Sequence, residues 1–313
     1  FFYNRNLYEK HLYPWIDKPM IKIITGMRRI GKSILLKQLI TYLKSCDIPE
    51  QRIHMIDKES VEFDEITHYK DLVAYLKARI TDEDAKQYLL VDEVQEIKHW
   101  EKAAVSYLKE GNWDIYLTGS NAHMLSSELA TLLSGRYIEI PVYALSLPEF
   151  LQFHQKPRSA AREMFPHYLK YGGLPAIHQL SGHQETIYQY ISSIYDTIVL
   201  KDIVSRHDIR NVTLLKDISR FVFDNIGNTF SAKKVSDYLK SQRLSITVDT
   251  VQKYLGHLVE TFALHRVQRY DLKGKRNLEI HEKYYLGDVG LRNALLGYRE
   301  TAINGLLENL VFL

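Results

Sequence analysis

Short apolar runs alternate with amphipathic stretches over the first 145 residues of the chain. The apolar runs have the length of buried strands and occupy residues 20–25, 88–91, 113–118 and 138–142. The stretches between them carry apolar residues at helical spacing, at 33–43, 62–80 and 100–108. Continuous apolar strands are typical of parallel sheets that helices cover on both faces. The pattern therefore predicts an α/β domain with a parallel sheet over residues 1–145.

From residue 146 the pattern becomes mainly helical. Four prolines interrupt it and predict breaks between short helices; they are Pro148, Pro157, Pro166 and Pro175. We expect a helical lid over residues 146–210, which would cover a ligand bound to the α/β domain.

Residues 211–287 show a third pattern. Two amphipathic helices, one capped by Ser231 and one beginning near Thr247, are joined by a short turn, as in helix-turn-helix units. Two strand-like runs follow, at 263–270 and 278–286. This order of elements predicts a winged-helix domain.

The loop between these two strand-like runs is basic. Between residues 264 and 283, six cations against three carboxylates leave three excess positive charges, as many as the whole chain carries. A glycine flanked by cations at a hairpin tip suits the phosphate backbone of double-stranded DNA. The candidate DNA contacts are Gln252, Lys253, Lys273, Lys275 and Arg276. Winged helices also dock on proteins or play a structural role, so DNA and a protein partner are both open.

The sequence between the first apolar run and the first helix fits the phosphate-loop pattern G-x-x-x-x-G-K-[ST] at every required position. A loop that leads into a helix N-terminus points backbone N–H groups at an anion. Lys32 is expected to reach the β- and γ-phosphates of ATP, and Ser33 to ligate Mg²⁺. The predicted nucleotide-binding residues are Gly26, Met27, Arg28, Arg29, Ile30, Gly31, Lys32, Ser33 and Ile34.

Two carboxylates follow the apolar run at 88–91. Open α/β sheets place their chemistry at the carboxyl ends of the strands. Asp92 is therefore expected to hold Mg²⁺, directly or through a water, and Glu93 to orient and polarise the attacking water. This pairing favours hydrolysis over phosphoryl transfer to another substrate.

Three further polar residues follow strands or precede them. Ser120 and Asn121 come directly after the run at 113–118, where either side chain could sense the γ-phosphate or cap the next helix. Arg136 could complete the phosphate site in the same chain, serve a neighbouring subunit as an arginine finger, or form a surface ion pair.

Composition narrows the class of protein. The chain has 313 residues, of which 45% are hydrophobic and 25% charged, as in ordinary globular proteins. A single cysteine excludes an internal disulfide, and the histidines show no zinc-finger spacing. No apolar run approaches the ~20 residues of a membrane span, and the N-terminus lacks the pattern of a signal peptide. We expect a cytoplasmic protein without a membrane partner.

In combination, the motifs resemble the prokaryotic AAA-type and archaeal-type P-loop ATPases that carry a winged helix and a C-terminal domain related to restriction nucleases. The resemblance covers nearly the whole chain. It depends on residues 24–33, Val91-Asp92-Glu93-Val94-Gln95, Thr118-Gly119-Ser120-Asn121, Leu133-Ser134-Gly135-Arg136-Tyr137 and Leu145-Ser146-Leu147-Pro148-Glu149-Phe150.

The resemblance implies additional site residues. Phe2-Tyr3-Asn4-Arg5 is similar to a start motif whose arginine lies near the adenine, which assigns Arg5 to the nucleotide. Tyr171-Gly172-Gly173-Leu174-Pro175 is similar to a lid motif whose proline lies near the base. Residues 288–313 resemble the opening of the nuclease-like domain, with Glu308 at a helix position that can join a metal site. The apolar end of the sequence and its missing initiator methionine predict a longer natural protein.

Three functions from different classes are consistent with these features. The first is a Mg²⁺-dependent ATPase that couples hydrolysis to DNA or to a protein partner. The second is a slow ATP/ADP switch that mainly signals its state, alone or as a homo-oligomer. The third is a DNA-binding, nuclease-associated regulator in which the ATPase is secondary.

Overall fold

Five parallel strands form the sheet predicted for the N-terminal part of the chain. They are β1 (Ile21–Thr25), β2 (Ile53–Asp57), β3 (Gln87–Asp92), β4 (Trp113–Gly119) and β5 (Tyr137–Pro141). Their order across the sheet is β2-β3-β4-β1-β5, and every neighbouring pair is parallel. The predicted parallel α/β sheet is confirmed, and the order places β4 between the phosphate-loop strand and the strand that ends in Asp92.

This computed structural model describes residues 3–122, 131–133, 135–180, 183–244, 246–268, 282–299 and 303–313. The chain forms two compact units. The first comprises the residues up to Gly26 together with Gly31–Val142, and the second comprises Met27–Ile30 together with Tyr143–Leu313. Within the described residues, no helix is both long and apolar enough to cross a membrane.

Four helices of the first unit lie within the described residues. They are α1 (Asn6–Leu12), α2 (Lys32–Ser45), α3 (Tyr69–Lys77) and α4 (Trp100–Glu110). Helix α2 buries one leucine stripe, formed by Leu35, Leu36, Leu39 and Leu43. Each such side chain contributes roughly 1.5–3 kcal/mol when it is fully removed from water. This burial holds the helix that follows the phosphate loop firmly in place.

The helix predicted over residues 62–80 is shorter in the structure, which is a correction. Helix α3 begins only at Tyr69 because His68 and Asp71 form a reciprocal capping box. Residues Val61–Phe63 form a separate 3₁₀ turn that is capped by Ser60. The apolar stripe is continuous across both segments, so periodicity alone could not reveal the boundary.

The second unit begins with three helices, α5 (Leu147–Phe153), α6 (Ala161–Tyr171) and α7 (Gln184–Thr197). A π-helical segment, Ile198–Val204, extends α7 and leads into the helical turn Ser205–His207. Pro166 lies inside α6 and does not end it, contrary to the prediction. Proline removes one backbone donor there, but the burial of Tyr168, Leu169 and Tyr171 holds the helix together.

The rest of the second unit has the order helix, strand, helix, helix, strand, strand. These elements are α8 (Val212–Asp224), β6 (Thr229–Phe230), α9 (Ala232–Ser241), α10 (Val248–Glu260), β7 (Leu264–Gln268) and β8 (Glu282–Leu286). The three strands form an antiparallel sheet in the order β6-β8-β7. Side chains of Asn211, Ser231 and Thr247 cap the three helices. The predicted loop cations Lys273, Lys275 and Arg276 lie outside the described residues.

Two final helices, α11 (Val289–Leu296) and α12 (Ile303–Phe312), belong to the same unit. The Asn293 side chain donates to the carbonyl oxygens of Leu169 and Lys170 in α6. The buried Asp288 carboxylate accepts the N–H of Gly173 at 2.6 Å and that of Gly290 at 2.8 Å. Residues 288–313 thus pack on the preceding helices, and the boundaries predicted at 210 and 287 stay predictions.

Glu308, on α12, serves a structural contact. Its carboxylate accepts from Lys283 Nζ at 2.7 Å and from the Tyr285 hydroxyl at 2.6 Å, both on β8. These bonds lower the pKa of Glu308. The nuclease-like assignment of this region stays a prediction.

Candidate nucleotide-binding site

The phosphate loop turns sharply at the carboxyl end of β1. Gly26 has φ 143° and Gly31 has φ 101°, both in the region that favours glycine. Gly31 is the N-cap of α2, so the N–H groups of the first helical turn, which have no acceptor within the helix itself, follow it directly. These N–H groups and the helix dipole favour an anion at this position.

Lys32, the first residue of α2, is buried despite its charge. Its side chain is only 4% exposed, and Nζ donates to the Gly26 carbonyl oxygen at 3.0 Å. Nζ also lies 3.5 Å from Oε1 of Glu93. The ammonium is therefore held across the mouth of the loop by groups that a phosphate can replace.

Asp92 ends β3 and is 1% exposed. Its carboxylate accepts hydrogen bonds from the hydroxyls of Ser33 and Thr118. Burial raises the pKa of Asp92, and these two hydroxyls oppose that rise. Hydroxyl and carboxylate oxygens are ligands that Mg²⁺ accepts. Ser33 and Asp92 are thus adjacent, as a shared magnesium site requires.

Glu93 adopts an unusual backbone conformation directly after β3. Its φ of 53° and ψ of 50° are left-handed, which costs a residue with a side chain on the order of 1–3 kcal/mol. The Glu93 N–H donates to Thr118 Oγ1 at 3.0 Å, and this bond holds the turn. Oε2 accepts from Ser120 Oγ at 2.8 Å and from the Gln95 amide. Glu93 is therefore fixed in orientation by residues from β4 and from its own turn.

Thr118 is the site residue that sequence reasoning missed as a functional group. It bonds both Asp92 and the backbone of Glu93 from the neighbouring strand β4. The available signal was a polar residue at the end of a mainly apolar run. Only the pairing of β3 with β4 gives that signal a meaning.

Ser120 and Asn121 are both buried at the end of β4. Ser120 donates to Glu93, so this hydroxyl faces the carboxylates. The helix expected after Asn121 falls mostly within residues 123–130, outside the described part. For Asn121, a role as a γ-phosphate sensor and a role as a helix cap therefore both stay predictions.

Arg136 lies just before β5, beside the first residue of β1, and its role in the same chain's phosphate site stays a prediction. Its carbonyl oxygen accepts the N–H of Ile21, at the first residue of β1. The phosphate loop follows the last residue of that strand, and five residues of strand span roughly 13 Å or more. The Arg136 side chain is exposed. An arginine finger for a neighbouring subunit stays a prediction.

The two residues assigned by resemblance lie in different units. Arg5 precedes α1 and is 5% exposed, with its guanidinium 4.4 Å from the Tyr8 ring centroid. The Tyr3 carbonyl oxygen accepts from Gln38 of α2 at 3.0 Å, so this segment runs beside the phosphate-loop helix. Pro175 begins the 3₁₀ turn Pro175–Gln179 in the second unit. Their roles near the base stay predictions.

Arg28, at the tip of the phosphate loop, has a specific partner that the sequence did not reveal. Its Nε lies 2.6 Å from Asp202 Oδ2, and its Nη2 lies 2.8 Å from Asp202 Oδ1. Both side chains are almost fully buried. Asp202 belongs to the π-helical segment Ile198–Val204. A two-pronged bond of this kind fixes direction as well as distance.

The sheet order, the loop at the end of β1 and the carboxylates at the end of β3 are those of an AAA-like P-loop NTPase fold. Residues 18–151 match the family described as "AAA domain", and residues 162–302 match a domain of unknown function, DUF8612. The predicted fold class, an AAA-like P-loop NTPase sheet, is confirmed.

Two relatives and one solved structure extend this comparison. An uncharacterized protein of Haemophilus influenzae is 36% identical over 99% of this chain and 78% of its own length. The uncharacterized protein MJ1544 of Methanocaldococcus jannaschii is 29% identical over 94% of this chain and 66% of its own length. The Walker-type ATPase PABY2304 of Pyrococcus abyssi shares the fold, with a TM-score of 0.63 at 15% identity, over 94% of this chain and 96% of its own. The chain belongs to the same family as the Haemophilus protein, and its residues 18–151 form an AAA domain.

Replacing Lys32 with Ala should abolish tight binding of Mg·ATP, because the cation that faces the β- and γ-phosphates is removed. Isothermal titration of both proteins measures this directly. Lys37→Ala is the matched control, since Lys37 is exposed on the same helix. Unchanged Mg·ATP affinity in the folded Lys32 variant would refute the assignment.

Proposed function

We propose that this protein binds Mg·ATP at the phosphate loop and hydrolyses it. The observation that carries the proposal is the meeting of Lys32, Ser33, Asp92 and Glu93 at one edge of the sheet. They come from two segments of chain, and each has the chemical type that the role requires. A phosphate-binding loop alone would support binding only, whereas Glu93 adds a fixed carboxylate beside it.

Each residue then has a distinct task. The backbone N–H groups after Gly31 and the Lys32 ammonium bind the phosphates. Ser33 and Asp92 would hold Mg²⁺, which neutralises charge on the β- and γ-phosphate oxygens when it is bound. Glu93 orients the attacking water and takes up its proton. Ser120 and Thr118 keep the Glu93 side chain and backbone in position.

The contact between Lys32 and Glu93 gives this site a way to respond to nucleotide. An arriving phosphate competes for the same ammonium that now lies 3.5 Å from Glu93 Oε1. Once Lys32 turns to the phosphate, Oε1 of Glu93 loses this contact and can accept a hydrogen bond from water. Binding of ATP thus prepares the base for the chemical step.

Glu93→Gln should leave Mg·ATP binding intact and slow turnover by roughly 10²–10⁴-fold, the range for loss of a general base. The amide keeps the size and one acceptor oxygen of the side chain but cannot take up a proton. Single-turnover measurement of phosphate release, together with titration of ATP binding, separates the two effects.

Glu96→Gln is the control for this experiment, because Glu96 is exposed and belongs to the same turn. Hydrolysis at the parental rate in Glu93→Gln would assign the base elsewhere. Undetectable hydrolysis in the parent protein, with ATP binding retained, would favour the alternative of a signalling switch.

The Arg28–Asp202 pair supports coupling of nucleotide state to the second unit. Met27–Ile30, the tip of the phosphate loop, cluster with that unit rather than with the sheet. When the loop adjusts to a phosphate, Arg28 must carry Asp202 with it or lose two charge-assisted bonds. Losing one partner of a buried pair costs on the order of 3–5 kcal/mol. We therefore expect the π-helical segment to change its position when ATP binds.

We further propose that residues 211–287 form a winged helix that contacts double-stranded DNA through phosphates. The order of elements and the antiparallel sheet β6-β8-β7 support this assignment. Helix α10 buries Val251, Leu255 and Leu258 and exposes Gln252 and Lys253. In helix-turn-helix units the second helix enters the major groove, which is the position α10 would take. A protein partner at this surface is the alternative.

Reversing the charges of Lys273, Lys275 and Arg276 together should weaken binding to a DNA duplex. It should also flatten the salt dependence by roughly one unit per lost phosphate contact. Fluorescence anisotropy at several salt concentrations measures both. The matched control reverses the charges of three exposed lysines of the first unit, Lys70, Lys77 and Lys109, and so changes the net charge by the same amount.

If the loop variant keeps its DNA affinity but changes the ATPase rate, the loop docks on the protein itself. If the loop variant and the control weaken DNA binding equally, the interaction depends on the net charge of the protein and not on this loop.

A further inference from the structure

Two histidines and a glutamate meet in the second unit, outside every residue assigned to the nucleotide. His207 lies on the helical turn Ser205–His207, and His257 and Glu260 lie one turn apart on α10. Glu260 Oε2 is 3.0 Å from His207 Nε2 and 3.3 Å from His257 Nδ1. One carboxylate oxygen therefore faces a nitrogen of each ring.

The spacing of these atoms matches the ligands of a tetrahedral metal ion. Zinc bonds of about 2.0–2.1 Å place neighbouring ligand atoms about 3.3 Å apart in a tetrahedron. The two nitrogen–oxygen separations are of that size, and one ligand atom of each residue lies within 4.8 Å of the other two. The imidazole rings of His207 and His257 stack with centroids 3.6 Å apart.

Burial also favours a ligand role. His257 is 6% exposed, and its other ring nitrogen, Nε2, is buried without a hydrogen-bond partner among the residues described here. Its polar interactions within that part of the chain are thus concentrated at the cluster.

We propose that His207, His257 and Glu260 bind a divalent transition metal ion of the zinc type. Two imidazoles and one carboxylate suit zinc, and three protein ligands leave the fourth position to water. The ion would join the turn after the π-helical segment to α10. Asp202, the partner of Arg28, lies five residues before His207. The ion would therefore link the π-helical segment to the proposed DNA-contacting helix α10.

Metal titration of the whole chain, after treatment with a chelator, tests this site without nucleotide. Zinc should bind with one equivalent per chain in isothermal titration. Cobalt(II), as a spectroscopic substitute, should give the intense visible absorption of a tetrahedral site. The proposed ATPase does not depend on either result.

The decisive variants are His207→Ala and Glu260→Ala, because both side chains are partly exposed and their loss should be tolerated by the fold. Each should reduce zinc affinity by more than about 100-fold, beyond the range for residues that only support a ligand, and should abolish the cobalt spectrum. His183→Ala, at an exposed histidine of the same unit, should change neither. Circular dichroism of each variant shows whether it is folded.

Two results would overturn the proposal. One is a parent protein that binds no stoichiometric zinc and gives no tetrahedral cobalt spectrum. The other is a folded variant, at either position, whose zinc affinity falls by less than this amount. In both cases the three residues form a hydrogen-bonded cluster that only joins the turn to α10.

Discussion

Every buried charge at the carboxyl edge of the sheet needs a polar partner, and this requirement fixes the positions of the other residues in the candidate site. Lys32, Asp92 and Glu93 are all less than 10% exposed, and an isolated buried charge is far too costly to persist. Each is stabilised by a partner from a different element: Lys32 by Glu93, Asp92 by Ser33 and Thr118, and Glu93 by Ser120. These partners meet only if β4 lies between β1 and β3. The chemistry of the site and the strand order therefore depend on one another.

The same reasoning explains how far the sequence could predict this site. The phosphate loop, its flanking strand and helix, and the carboxylates after β3 are local patterns, and local patterns can be recognised without a structure. Strand β2 escaped recognition because an edge strand with alternate residues half-buried lacks the continuous apolar run of its neighbours. Thr118 escaped because its role exists only across a strand pair. Arg136 was assigned to the site from its motif and its residue type, and only the register of β5 against β1 shows that it lies beside the first residue of β1.

Sequence patterns do not reveal contacts between residues that are far apart in the chain. Arg28 and Asp202 are 174 residues apart, and nothing in either segment marks the other as its partner. The π-helical segment was likewise unpredictable, because its apolar spacing continues that of α7. Once these contacts are known, the segment 198–207 gains a role. It holds the tip of the phosphate loop through Asp202 and approaches α10 through His207, so one short stretch of chain contacts both the loop tip and the proposed DNA-contacting helix.

Phosphate release from ATP, measured on the intact chain with Mg²⁺ and again with excess chelator, tests the central claim most directly. The arrangement of Ser33 beside Asp92 and of Glu93 beside Lys32 predicts steady release with Mg²⁺ and a loss of nearly all of it when the metal is removed. Release that continues unchanged in chelator would contradict the proposed metal site. A complete absence of release with saturating Mg·ATP would contradict the assignment of Glu93 as the base for hydrolysis.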